Sequence, residues 1–321
     1  MRSINRRVFL ASTAAALPLA YLPGCKSTSQ DTSATLSVSG ARTGNPIAVS
    51  TYSFWRFGKA GRRATVLESI EQAGAMGFDG VEVLEVQMGD DNGLAAKRAI
   101  KQAALLDGLP LIGLSTHQGF VSPDADKRQA NIERTTRSLE LAYDLGIPTM
   151  RVNTGRWGTS PNFDTLMANN GIEPTLEGYT DDQGFAWVID AYGKLADEAA
   201  KRGVVMGLEN HWGLGRTASG VMRVVNAVNS PWLRTTLDTG NSLTDQYTEY
   251  EALANDAVLV QAKTYFGGGI WYTLDIDYER VAKILKAANY KGFISVEFEG
   301  KEDWKTGVPK SLAVMREVFV A

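Results

Sequence analysis

Acidic and imidazole side chains follow short apolar runs of this sequence, at the points where those runs end. The run Val204–Leu208 is followed directly by Glu209 and, two residues further on, by His211. The run Leu233–Leu237 is followed directly by Asp238. Carboxylates and imidazoles are the groups that most often transfer protons or bind metal ions in enzymes. The spacing therefore points to proton-transfer or metal chemistry where the apolar segments end.

The same pattern recurs along the rest of the chain. Gln261 and Lys263 lie at the end of another apolar run, Glu297 follows a further one, and His117 lies two residues after a third. The chain has only two histidines, and both occupy such positions. Three carboxylates that met in one cleft would raise each other's pKa values, and a divalent cation would remove that repulsion. Carboxylate and amide oxygens favour Mg²⁺ or Mn²⁺ over zinc, which prefers cysteine and histidine.

The apolar runs alternate with longer amphipathic stretches, a pattern typical of parallel strands joined by helices. Asp277 is placed to cap a helix, and glycines 77, 146, 203 and 292 are placed to end helices. No GxGxxG motif follows the first run, which disfavours a doubly wound open sheet. Eight runs are present, at Ile47–Thr51, Gly80–Val86, Leu109–Ser115, Thr149–Val152, Val204–Leu208, Leu233–Leu237, Val258–Ala262 and Phe293–Val296.

Eight strand–helix units predict an α/β chain folded as a single (β/α)₈ TIM barrel, spanning residues 46–321. An inserted loop of about residues 153–184 separates the fourth and fifth units. In such barrels the reacting groups lie at the carboxyl ends of the strands. We therefore expect the polar residues that end the runs to meet at one mouth of the barrel.

Four fragments, in this order, resemble the xylose isomerase-like TIM-barrel superfamily, which includes sugar (phosphate) isomerases and epimerases. They are Ala75–Val83, Leu208–His211, Leu237–Asn241 and Tyr290–Glu297. The resemblance implies a divalent metal, Mn²⁺ or Mg²⁺, held by Glu209, Asp238, Gln261 and Glu297. The family usually has a histidine at the position of Gln261. The epimerases of the family often have a histidine at the position of Asn241. The endonuclease IV branch is excluded, because two histidines cannot build its histidine-rich zinc site.

The resemblance also implies roles for the other polar residues near the strand ends. Glu209 and Glu297 are interpreted as the proton-transfer pair, with His211 and Lys263 as further catalytic groups. Lys263 could stabilise an enolate, or act as a base if it is desolvated. We expect the substrate to be contacted by His117, Asn241 and Glu82 and by the tryptophans Trp55, Trp157 and Trp212.

These assignments predict a metal-dependent isomerase or epimerase. It would take a proton next to the carbonyl of a keto-sugar or related carbohydrate, through an enediolate. Loss of a β-leaving group from the same enolate would instead make the protein a lyase or dehydratase, or an enzyme that cleaves a 3-keto-glycoside. A sugar-binding lipoprotein without catalytic activity is a third hypothesis, against which the full set of strand-end carboxylates argues.

The N-terminus is typical of an exported protein. Residues 1–24 combine Arg2, a twin-arginine-like Arg6-Arg7 pair and a short apolar stretch, and Leu22–Cys25 resembles a lipobox. These features predict a periplasmic lipoprotein anchored through Cys25, with a flexible tether over residues 25–45. The formal net charge of −3 and the lack of a basic patch argue against nucleic-acid binding. The oligomeric state stays open.

Overall fold

A computed structural model describes residues 44–56, 64–89 and 92–320 of the chain. Eight parallel strands pair in chain order, and β8 pairs with β1, so that the sheet closes into a barrel. The predicted (β/α)₈ fold is confirmed, and every strand begins and ends within two residues of a predicted apolar run. The strands are β1 Ile47–Ser50, β2 Gly80–Leu84, β3 Leu111–Ser115, β4 Thr149–Val152, β5 Val205–Glu209, β6 Leu233–Asp238, β7 Ala257–Thr264 and β8 Ile294–Phe298.

The helices of the described residues pack around the barrel and bury their apolar faces against it. In chain order they are α1 Tyr52–Trp55, α2 Val66–Met76, α3 Leu94–Leu106, α4 Ala125–Leu145, α5 Phe163–Ala168, α6 Asp181–Arg202, α7 Ala218–Val228, α8 Gln246–Ala254, α9 Tyr278–Ala287 and α10 Trp304–Phe319. None of these helices is both long enough and apolar enough to span a bilayer. The signal-peptide, lipobox and most of the tether predictions, with Cys25, lie outside the described residues.

Most of the predicted helix signals are found in the structure. Asp277 precedes α9, and its side chain accepts a hydrogen bond from the amide of Arg280, as expected of an N-cap. Gly77, Gly146 and Gly203 follow α2, α4 and α6 in left-handed conformations. These caps end each helix immediately before the strand that follows it.

The prediction that Gly292 ends a helix is wrong. Helix α9 ends at Ala287, and Asn289 takes the left-handed conformation instead, with φ of 55°. Gly292 is required for a different reason, because a Cβ at this position would lie 2.4 Å from the hydroxyl oxygen of Tyr290. The glycine therefore makes room for an aromatic ring at the start of β8.

The barrel interior is layered, and the layers can be followed along β7. A small apolar cluster of Ala48, Ile112 and Leu259 forms one level. These residues come from β1, β3 and β7, which are not sheet neighbours, so they meet only inside the barrel. Because side chains alternate along a strand, Gln261 and then Lys263 project inward at the next two levels. The interior thus changes from apolar to charged toward the carboxyl ends of the strands.

The predicted insertion between β4 and β5 has regular structure of its own. It contains α5, which begins with Phe163, and its last residues already belong to α6. The N-terminus of α6 carries a reciprocal capping box between Thr180 and Gln183, which fixes where that helix starts. The insertion brings Phe163 to the mouth of the barrel, as described below.

Candidate active site at the carboxyl ends of the strands

A cavity of about 390 Å³ opens at the carboxyl ends of the barrel strands. Its wall combines charged groups with aromatic rings, as is usual for sites that bind small molecules. The lining residues are Tyr52, Leu84, His117, Arg151, Arg156, Phe163, Glu209, His211, Trp212, Lys263, Trp271, Tyr272, Glu297 and Glu299. All four residues predicted to be catalytic, Glu209, Glu297, His211 and Lys263, are therefore brought to one cavity.

Glu209, the last residue of β5, is held by three side chains. Asn153 donates a hydrogen bond of 2.7 Å to Oε2, and Asn241 donates one of 3.1 Å to Oε1. The Nε atom of Arg151 lies 3.3 Å from Oε2. Oε1 keeps a second acceptor position, since an ionised carboxylate has about four of them and Asn241 occupies only one on this oxygen. The contacts thus fix the orientation of Glu209 and leave it able to accept a proton.

Lys263 is the cation at the centre of the acidic groups. Its Nζ lies 3.3 Å from Oδ2 of Asp238 and 3.6 Å from Oε1 of Glu299, and donates a 2.9 Å hydrogen bond to Oδ1 of Asn241. Burial alone would lower the pKa of Lys263, but the nearby carboxylates outweigh it and hold the pKa well above its usual value. A protonated Lys263 places a positive charge among the acidic groups, and its role in catalysis stays a prediction.

Two buried carboxyls of the site have raised pKa values. Burial raises the pKa of Asp238 to about 7, although Lys263 acts in the opposite direction. Burial, with repulsion from Asp238 and Glu299, also raises the pKa of Glu297 well above its ordinary value, despite the nearby Lys263. A carboxyl with a pKa of about 7, such as that of Asp238, can both release and accept a proton under physiological conditions.

Three buried oxygens on consecutive strands could ligate a metal ion. Oδ2 of Asp238, Oε1 of Gln261 and Oε2 of Glu297 accept no hydrogen bond within the described residues. Asp238 and Gln261 are register partners across β6 and β7, and Lys263 and Glu297 are partners across β7 and β8. Buried oxygens without donors carry a desolvation cost that a cation would remove. In type and charge, the donors fit a hard divalent ion.

The acidic side chains by themselves do not form a metal site. Within the described part of the chain, no group of three or more Asp, Glu, His and Cys side chains is arranged to hold a metal ion. The amide of Gln261 is therefore needed among the donors, and the ammonium of Lys263 already occupies one side of Asp238. Asp238 and Gln261 lie beneath the cavity rather than on its wall, and both are fully buried.

The two histidines face each other across the cavity. The rings of His117 and His211 meet edge to face, with their centroids 6.2 Å apart. Burial, and then the positive charge of Arg151, lowers the pKa of both imidazoles well below the usual value. Both rings are therefore neutral near pH 7, so each can donate one hydrogen bond and accept another.

Four aromatic side chains, Phe163, Trp212, Trp271 and Tyr272, form an aromatic rim around the outer part of the cavity. The Phe163 ring packs edge to face on Trp271 and Trp212, at centroid distances of 4.9 Å and 6.0 Å. Tyr272 packs in the same manner on the other side of Trp212, at 6.0 Å. The rim joins the insertion after β4 to the loops after β5 and β7.

Some predicted substrate contacts lie elsewhere. Trp157 packs near Tyr179 and Trp187 in a cluster away from the cavity, and its indole N–H donates to Asp181. Trp55, in α1, is half-buried and does not line the cavity. Both tryptophans follow their strands by several residues, so the chain turns away before it reaches them. Of the three predicted tryptophans only Trp212 lines the cavity.

Glu82 and Asn241 lie behind the cavity wall rather than on it. The carboxylate of Glu82 is fully buried and is surrounded by side chains of β3, β7 and β8. Asn241 bridges Glu209 and Lys263, donating to the first and accepting from the second. Their contact with substrate stays a prediction, and in this structure both side chains hold neighbouring residues of the site.

Several cavity residues were not predicted as site residues. Arg151 could have been predicted from the sequence, because a charged residue inside the buried strand β4 must face other polar groups in the barrel. Tyr52, which directly follows the first strand run, donates a 3.0 Å hydrogen bond to Glu299. Phe163, the first residue of the short helix α5, and Tyr272 lie in the long connections after β4 and β7, where hydrophobic periodicity carries no information. Their arrival at the cavity depends on the path of the folded chain.

The family model described as xylose isomerase-like TIM barrel matches residues 70–318. This span is more than half of the chain, and the protein therefore belongs to that family. No curated protein sequence is significantly similar to the chain.

Solved structures of sugar epimerases share the fold at low sequence identity. The 3-keto-D-glucoside 4-epimerase from E. coli is 19% identical, with a TM-score of 0.66, over 85% of this chain and 99% of that one. The D-psicose 3-epimerase from Clostridium cellulolyticum H10, solved with D-tagatose, is 14% identical, with a TM-score of 0.66, over 86% and 100%. The D-allulose 3-epimerase from Methylomonas sp., solved with D-allulose, is 17% identical, with a TM-score of 0.65, over 86% and 98%.

Proposed function

We propose that this protein is a divalent-metal-dependent isomerase or epimerase of a keto-sugar or related carbohydrate. The observation that carries the proposal is the convergence of Glu209, Glu297 and Lys263 on one cavity, above three buried oxygens that lack hydrogen-bond donors. Proton abstraction next to a carbonyl needs a base, a proton donor and a stabiliser of the developing negative charge. The names of the three structures described above, which are sugar epimerases, support the same reaction class.

In the proposed reaction Glu209 and Glu297 exchange protons with the substrate. The two carboxylates come from β5 and β8, on well-separated parts of the barrel, and can approach opposite faces of a reacting carbon. One removes the proton and the other returns it, which inverts the centre. Return of the proton to the neighbouring carbon gives isomerisation instead.

The metal would be Mn²⁺ or Mg²⁺, held by the oxygens of Asp238, Gln261 and Glu297 that accept no hydrogen bond within the described residues. When bound, such an ion polarises the substrate carbonyl and stabilises negative charge on its oxygen. Lys263 contributes a second positive charge next to these ligands, and its raised pKa keeps it protonated. The neutral His117 and His211 would orient substrate hydroxyls, and Trp212 would pack against a face of the sugar ring.

Two measurements test this proposal. Metal analysis of the purified protein should find about one divalent ion per chain, and its removal by a chelator should abolish turnover. A screen of keto-sugars in deuterium oxide, read by NMR, should find solvent deuterium at the carbon next to the carbonyl. Absence of a stoichiometric ion would contradict the metal-dependent reaction. Full turnover by Glu297→Gln would contradict the two-glutamate mechanism.

A lyase that acts on a 3-keto-glycoside is the second candidate. The observation that favours it is the aromatic rim of the cavity of about 390 Å³, which offers a second group a surface beside the charged residues. Departure of a β-substituent from the enolate would need a proton donor, and Tyr52, hydrogen-bonded to Glu299, lines the same cavity. An unsaturated product that absorbs in the near ultraviolet would favour the lyase over the epimerase. A sugar-binding protein without catalysis would release neither product.

We also propose that the protein acts outside the cytoplasm as a lipoprotein anchored through Cys25. The twin-arginine-like start and the lipobox-like Leu22–Cys25 support this proposal. Cell fractionation should place the full-length protein in the membrane fraction, and Cys25→Ala should release it into the soluble periplasmic fraction. Recovery of the wild-type protein in the cytoplasm would contradict the proposal.

A further inference from the structure

A buried hydrogen-bond network lies directly beneath the proposed metal ligands and is centred on Glu82. Oε1 of Glu82 accepts hydrogen bonds from the hydroxyl of Ser115 and from Nε2 of Gln261, the latter at 2.7 Å. Oε2 accepts a 2.6 Å hydrogen bond from the hydroxyl of Ser295. Strands β2, β3, β7 and β8 thus meet at one carboxylate with no solvent exposure.

The network determines which way the amide of Gln261 points. A carboxylate that accepts from donors on both of its oxygens needs an N–H group, and not a second oxygen, at the remaining position. The amide must therefore present its NH₂ group to Glu82, and its Oε1 faces the opposite side. That oxygen is buried and has no hydrogen-bond donor among the described residues. The reverse orientation would place the amide oxygen against the Glu82 carboxylate.

We infer that Glu82 is a positioning residue that turns the amide oxygen of Gln261 toward the metal. The inference rests on the proposed metal-binding role of Gln261. A glutamine amide can rotate by half a turn and then presents a donor that cannot bind a cation. Glu82 removes this ambiguity, in the way that outer carboxylates orient the histidine ligands of other metal sites. A neutral and weak ligand is thereby held ready before the metal arrives.

The test compares Glu82→Gln with the wild-type protein. A glutamine at position 82 can offer either an oxygen or an NH₂ group, so both orientations of the Gln261 amide become possible. Titration of metal-free protein with Mn²⁺, with free Mn²⁺ counted by electron paramagnetic resonance, should show about tenfold weaker binding or more. The double variant Glu82→Gln/Gln261→Glu exchanges donor and acceptor at the same total charge, and we expect it to regain most of the affinity.

Ser295→Ala is the matched control for general damage to the network. It removes one donor to Glu82 but leaves the hydrogen bond to Gln261 in place. This variant should lose stability in urea unfolding while its Mn²⁺ affinity stays within about threefold of the wild type, since the ligand orientation is unchanged. An equal loss of affinity in Ser295→Ala and Glu82→Gln would mean that Glu82 acts only through stability, and would overturn the inference.

A metal-free measurement separates this inference from the proposed function. In NMR spectra of the metal-free protein, the side-chain NH₂ of Gln261 should exchange slowly with solvent, and Glu82→Gln should accelerate that exchange. If the wild type shows the slow exchange but binds no Mn²⁺, the metal-dependent function fails and Glu82 has no ligand to orient. If the wild type binds Mn²⁺ and Glu82→Gln binds it equally tightly, the inference alone is overturned.

Discussion

Nζ of Lys263 lies 3.3 Å from Oδ2 of Asp238, and both side chains are almost completely buried. The pKa of each group is raised, by nearby carboxylates for Lys263 and by burial for Asp238, whose pKa reaches about 7. One buried cation thus faces several carboxyl groups at the mouth of the barrel. A change in this pair should therefore affect both the unfolding free energy of the protein and the reaction proposed for the cavity.

Replacement of Lys263 by methionine should leave Asp238 and Glu299 without their buried cation. Removal of one partner of a buried ion pair is costly, because the other charge stays desolvated, and we expect a loss of about 3 kcal/mol in unfolding free energy. Urea unfolding of the metal-free protein measures this loss. The control is Lys194→Met, which breaks an exposed pair with Asp190 and should cost no more than about 0.5 kcal/mol. Equal effects would contradict the central role of Lys263.

Replacement of Gly240 by alanine should displace the side chain of Lys263. A Cβ at position 240 would lie 2.1 Å from Cδ of Lys263 and 2.6 Å from the hydroxyl oxygen of Tyr265. We expect a loss of about 1–3 kcal/mol in unfolding free energy and a fall in kcat/KM on the substrate found by the screen. The control is Gly193→Ala in the exposed part of α6, where a Cβ meets no atom within 4 Å. Its helix propensity should stabilise the protein by up to about 1 kcal/mol. Unchanged activity of Gly240→Ala would show that the position of Lys263 is unimportant.

The half-buried His117 should make the protein less stable in mild acid. Burial lowers its folded-state pKa below the unfolded value, so the unfolded chain takes up the proton first. The stability due to the neutral ring is complete above about pH 6.5 and is lost as the pH falls toward the folded-state pKa, by up to about 1.4 kcal/mol per pH unit. The raised pKa values of Glu82 and Glu297 act in the opposite direction, so the comparison needs a matched variant.

That comparison is between the wild-type protein and His117→Asn, measured by urea unfolding of the metal-free proteins at pH 7, 6 and 5. The difference in stability should shift in favour of the variant as the pH falls, because asparagine takes up no proton. Since the chain has only two histidines, imidazole NMR signals can be assigned with this single variant. A wild-type His117 signal that titrates near pH 6.5 would contradict the prediction.

Removal of the Phe163 ring should weaken substrate binding without changing the chemical step. Phe163 lines the cavity and packs on Trp212 and Trp271. We expect the Phe163 ring to contact the bound substrate, and a contact of this kind contributes about 0.5–1.5 kcal/mol, so Phe163→Ala should raise KM by about three- to tenfold and leave kcat nearly unchanged. The control is Tyr179→Ala, which removes a ring from the cluster around Trp157, outside the cavity. A matching rise in KM for Tyr179→Ala would show that the aromatic rim has no special role.

Much of the fold could be predicted because local patterns report on strands and caps. A buried parallel strand must be apolar, so each of the eight runs marks a strand, and Asp277 marks the start of a helix through a contact only three residues away. Gly292 shows the limit of this reasoning. A glycine is needed at this position because of the ring of Tyr290 and not because a helix ends there. The sequence pattern is the same for a helix end and for close packing against a ring.

The candidate site was predictable where a residue's place follows from its strand. Glu209, Glu297, Lys263 and His211 reach the cavity because the carboxyl ends of barrel strands share one mouth. Trp157 does not reach it, because a loop residue several positions beyond its strand is placed by packing with Tyr179 and Trp187. Sequence order carries no information about which way such a loop folds.

The sequence by itself determined the barrel, the mouth at which its polar residues meet and the identity of the acidic groups there, since strand periodicity and strand ends are local properties. Only the tertiary structure decided what each side chain does. It put Glu82 beneath Gln261 and Asn241 between Glu209 and Lys263, contacts that join residues far apart in the chain. Hydrogen-bond partners, burial and pKa values depend on distances between strands, and these exist only once the barrel has closed.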